Sequence, residues 1–120
     1  MRAHPVTNTF WHPFDDGRSL GQRGSENGLI LRDEEHVDGA RITLERDTPA
    51  APFAITCGIY GWMVHTRYFA TAEMAQQAFE EMRYELANIL RLIPNEDDPE
   101  VGTKVQKVRE ALKDFIKRFP

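Results

Sequence analysis

Apolar residues alternate along Phe53-Ala54-Ile55-Thr56-Cys57-Gly58-Ile59, which sets Phe53, Ile55, Cys57 and Ile59 on one side. A period of two predicts a strand with one buried face. Tyr60-Gly61 then predicts a tight turn into a further strand over residues 62–69, rather than one long strand bent at Gly58 or Gly61. In that strand Trp62, Val64, Thr66 and Tyr68 lie on one side, and Met63, His65, Arg67 and Phe69 on the other. A turn centred on Tyr60-Gly61 sets Ile59 opposite Trp62 and Cys57 opposite Val64.

From Thr71 the period changes. Ala75, Ala78, Phe79, Met82, Leu86, Ile89, Leu90 and Ile93 form the apolar stripe of a helix capped by Thr71 and stopped by Pro94. Val101, Val105, Val108, Leu112, Phe115 and Phe119 make the stripe of a second helix. Asp98 is its expected cap and Pro99 its first residue, with Gly102 weakening the first turn.

Upstream, Leu29-Ile30-Leu31-Arg32 begins a strand, and Asp38-Gly39 supplies a turn. Ala40, Ile42 and Leu44 then alternate with Arg41, Thr43 and Glu45. Residues 29–36 and 40–47 therefore read as a hairpin whose polar face lies in water. Pro49 and Pro52 end it. Residues 1–28 are broken by Pro5, Pro13 and four glycines, so they read as an irregular arm. Phe10-Trp11-His12-Pro13-Phe14 is too aromatic for a solvated tail and predicts an anchor that docks on the body or on a partner chain. Gly17 to Gly28 reads as a mobile loop.

The sum is an α+β chain: a four-stranded, mostly antiparallel sheet of two hairpins, with two C-terminal helices packed on one face. Residues 29–120 make a single domain and residues 1–28 the arm. At 120 residues the chain can bury a core without staples. Helices on one side leave the other sheet face to be covered by the arm, a second copy or a partner.

Charge and chemistry narrow the function by exclusion. The net charge of −4 argues against non-specific binding to nucleic acid. Residues 101–120 hold six Lys/Arg against two Asp/Glu, a basic helix suited to pair with the acidic Glu73, Glu80, Glu81 and Glu85. One cysteine excludes a disulfide framework, and no run approaches the ~20 apolar residues that span a bilayer. A cytoplasmic protein with no membrane partner is the expectation.

The glycines of the loop fit neither a phosphate loop nor a dinucleotide fingerprint. Asp33-Glu34-Glu35-His36 is a thin metal candidate, because neighbouring strand residues point to opposite faces, and His12 with Asp15-Asp16 is equally thin and reads as a polar loop. Cys57 reads as a buried small hydrophobe, and no glycine-flanked serine elbow occurs. No catalytic set, cofactor or metal site is expected.

What remains is a surplus of aromatic residues and arginine, the side chains that dominate interfaces. Trp62, His65, Arg67, Tyr68, Tyr60 and Trp11 are the expected ligand-binding or interface residues. The expectation is a small soluble, non-enzymatic binding or interaction module acting as a homodimer or with a protein partner. The alternative is a small-molecule-binding enzyme or sensor, with a pocket near the fourth strand or at a subunit boundary.

Overall fold

A computed structural model describes residues 10–120; the first nine residues of the expected arm lie outside the described residues. The chain forms β1 (Trp11–Pro13), β2 (Leu29–His36), β3 (Ala40–Arg46), β4 (Phe53–Ile59), β5 (Met63–Phe69), α1 (Ala72–Leu90) and α2 (Val101–Arg118). The strands make one antiparallel sheet in the order β1-β2-β3-β4-β5.

The sheet has five strands where the sequence predicts four. The extra strand is the aromatic anchor, with Trp11 opposite His36 and Pro13 opposite Glu34. The Val37 N–H donates to the Phe10 carbonyl and extends the pairing. Three residues ending in proline carry no readable period, and an edge is the one place in a sheet where proline fits. Trp11 is buried against the His36 ring, so the anchor docks on the body of its own chain.

One face of the sheet builds the core. Ala40, Ile42, Leu44, Ile55, Cys57 and Ile59 meet Phe79, Met82 and Leu86 of α1 and Val108 and Phe115 of α2. Thr71 caps α1 as expected, its Oγ1 accepting from the Met74 N–H at 3.2 Å. α1 stops at Leu90, and residues to Ile93 close in tighter turns. α2 starts at Val101 rather than Pro99. Asp98 accepts the Glu100 N–H at 2.8 Å and holds Lys104 Nζ at 2.6 Å ahead of the first turn. Arg118 of α2 reaches Glu85 of α1, so the basic helix end does pair with the acidic helix.

Two expectations about the strands change. The β4–β5 loop holds three residues, because the Trp62 N–H donates to the Ile59 carbonyl with Gly61 at φ 83°. The register moves by one: Ile59 faces Met63 and Cys57 faces His65. Nor is the polar face of β3 in water. Thr43 and Glu45 are buried, because residues 14–28 fold back over them. The approach is close: a Cβ on Gly28 would meet the Arg46 carbonyl oxygen at 2.5 Å.

His36 is buried beneath Phe10 and Trp11, and its Nδ1 accepts the Asp38 N–H at 3.0 Å. Burial holds its imidazole below the ordinary value, against the opposing pull of the Asp38 carboxylate. The unfolded chain protonates at the ordinary value of about 6.5. Stability from neutral His36 is therefore full above that pH and declines as pH falls toward the folded value. Thermal melts should show a falling midpoint from pH 7 to 5.5, and His36→Gln should flatten that slope. An unchanged slope in the variant would assign it to other groups.

Candidate functional site

The helix-free face of the sheet carries a groove of about 900 Å³. Its floor is the open side of β3, β4 and β5: Arg41, Thr43, Thr56, Gly58 and Val64. Its wall is the loop of residues 14–28, and the β4–β5 turn brings Tyr60 and Trp62 to the rim.

The loop is fixed at both ends. At one end the Arg41 guanidinium lies 3.5 Å from the Phe14 ring centroid. Arg41 is itself held by the buried Asp33, at 2.9 Å and 2.7 Å, while Thr43 Oγ1 donates to the same carboxylate at 3.0 Å. That hydrogen-bonded pairing raises the Arg41 pKa, so the charge is permanent. At the other end the fully buried Glu45 accepts the Gly28 N–H at 2.9 Å and the Glu26 N–H at 3.2 Å. The Tyr68 hydroxyl donates to Glu26 Oε1 at 2.6 Å and ties the loop to β5. The glycine-rich stretch thus carries anchors that its composition does not announce.

The six residues singled out from sequence do not form one site. Tyr60 and Trp62 line the groove. Desolvation and the hydrogen bond donated to Glu35 at 2.5 Å push the Tyr60 phenol up to about 12, so it remains a donor. Tyr68 shares the open face but lies at the Glu45 end. His65 and Arg67 are on the opposite, helix-bearing face. His65 Nε2 meets the Phe119 carbonyl, and the Arg67 guanidinium lies 4.8 Å from the Phe69 ring and 5.9 Å from the Phe119 ring. These two residues fasten the end of α2 beneath β5. Trp11 is at the far edge, in β1.

Cys57 and His65 stand opposite each other across β4 and β5. The thiol is buried and its pKa is pushed up to about 12 by desolvation, which leaves no thiolate for nucleophilic chemistry near neutrality. Asp33-Glu34-Glu35-His36 is divided between ion pairs on two faces. Asp33 binds Arg41, while Glu34 binds Arg32 at 3.0 Å and Arg83 at 2.5 Å. Among the described residues no three His, Cys, Asp or Glu side chains converge as metal ligands. Nor is any described helix long and apolar enough to cross a membrane.

Sequence reasoning missed Arg18, Arg23 and Arg41 as groove residues, and Glu45 as the loop's anchor. The arginines of the loop stand among glycines that gave no period, and Glu45 sits at an ordinary polar position of an alternating strand.

No family model, curated protein or solved structure matches this chain.

Proposed function

We propose that this protein is a non-enzymatic interaction module that works as a homodimer, joined edge to edge through β5. The observation that carries this reading is the state of the two sheet edges. β1 is three residues long and ends in Pro13, a blunted edge. β5 runs seven residues in unbroken register with β4 and carries no proline, lysine or bulge. Among the described residues no strand pairs with its outer side. Alternate N–H and C=O groups of β5 therefore point outward, a template for another strand.

The sequence of β5 is suited to pairing with itself. An antiparallel two-fold centred on Thr66 sets Thr66 against Thr66 of the partner subunit and Val64 against Tyr68 of the partner subunit. Val64 and Tyr68 are the exposed apolar residues of the strand, 79% and 46% accessible. Within the chain Thr66 already makes this kind of pair, its Oγ1 lying 3.1 Å from that of Thr56. The single thiol, unpaired and buried, fits a reducing compartment, and we place the module in the cytoplasm.

Sedimentation equilibrium tests the reading. The wild-type chain should weigh twice 13.8 kDa at micromolar concentration. Val64→Lys should weaken the dimer by about tenfold or more, about 1.4 kcal/mol, by placing a charge in the joined edge. Because Val64 is exposed, the melting temperature of the monomer should stay unchanged. A wild-type monomer at every concentration, or a dimer indifferent to Val64→Lys, would contradict it.

A further inference from the structure

The geometry points to a second, separate property: the groove over β3–β5 is a binding site for a small organic anion with an apolar body, its anionic end at Arg23. The size fits, since small-molecule sites fall in a range of roughly 300–1,000 Å³ and this groove holds about 900 Å³.

Charge selects the sign of the ligand. Arg18, Arg23 and Arg41 line the groove against a single carboxylate, Asp15. Arg18 is matched by Asp15 at 2.8 Å, and Arg41 by Asp33 at 2.7 Å. Arg23 differs. Its Nη1 donates to the carbonyl oxygen of Asn27 at 2.9 Å and to its Oδ1 at 3.2 Å, both neutral. Its positive charge is without a carboxylate partner among the described residues, while its position is fixed. An arginine held by neutral acceptors at the wall of a cleft is ready for a carboxylate, sulfonate or phosphate oxygen.

The remaining surface that a ligand would meet is apolar: Ile30, Trp62 and Val64. A purely ionic ligand would leave that surface unused, and a purely apolar one would leave Arg23 unmatched.

Two dyes of one shape separate these cases: 8-anilinonaphthalene-1-sulfonate and its uncharged counterpart, N-phenyl-1-naphthylamine. Fluorescence titration of the folded chain should give one sulfonate bound per chain, at least about tenfold tighter than the amine, with energy transfer from tryptophan that Trp62→Phe reduces while Trp11 remains. Arg23→Ala should cancel the preference for the sulfonate, and Arg23→Lys should restore part of it. Arg91→Ala, in the smaller groove beside Trp11 and Tyr84, should change nothing. Equal affinity for the two dyes, or a sulfonate preference that survives Arg23→Ala in a folded protein, would overturn the assignment. The edge-blocking Val64→Lys also touches the groove, so Arg23→Ala is the discriminating variant: it should leave the dimer intact.

Discussion

Asp33→Ala should lower the melting temperature by on the order of 10 °C. The side chain of Asp33 has no solvent exposure, and its carboxylate takes two hydrogen bonds from Arg41 and one from Thr43. Its removal leaves the Arg41 guanidinium, only about a third exposed, stacked on Phe14 with only the longer-range pull of Glu35 in place of the ion pair. Breaking a buried pair from one side costs about 3–5 kcal/mol, and the partial exposure of Arg41 places this case near the lower bound. Asp33→Asn should cost less, because the amide oxygen still accepts from Thr43. Differential scanning calorimetry of both variants checks this. A shift below about 2 °C for Asp33→Ala would mean that Arg41 swings to solvent without penalty.

Glu45→Ala should destabilise the fold by about 3 kcal/mol and free the loop as well. Glu45 is fully buried and has no cation within ion-pair distance among the described residues. Its carboxyl oxygens accept the backbone N–H groups of Gly28 and Glu26. Alanine removes the acceptor, leaves two shielded donors unpaired and opens a cavity. Urea denaturation measures the loss, and limited proteolysis should then cut within residues 17–28. The groove should lose its affinity for the sulfonate dye at the same time, since the loop is its wall. A variant with an unchanged urea midpoint and an intact loop would show that Tyr68 and Phe14 suffice to hold the segment.

These two carboxylates also mark where the sequence stops being readable. The four long strands, the places of both turns and the Thr71 cap follow from period and turn chemistry, which are local properties. Glu45 occupies a polar position of an alternating strand and Asp33 stands in a run of four charged residues, and either pattern alone assigns the residue to water. Their burial comes from a glycine-rich loop whose path has no period at all. β1 was hidden for the same reason: three residues and a proline pair only because β2 offers an edge. The register of β5 turned on whether the loop held two residues or three, a choice made by the Trp62 N–H and Gly61. That single step moved His65 opposite Cys57 and left Val64, Thr66 and Tyr68 on the groove side. Of the candidate site, the aromatic rim at Tyr60 and Trp62 was legible, and the arginines on the loop and on β3 were not.

Edge pairing through β5 is tested most directly by amide hydrogen exchange across residues 63–69, compared at low and high protein concentration. If β5 closes against a second copy, alternate amides of the strand should exchange freely in dilute protein. They should gain protection as the mass doubles, while β1 amides stay unchanged. Exchange along β5 that is independent of concentration, in a protein that remains monomeric, would contradict the homodimer.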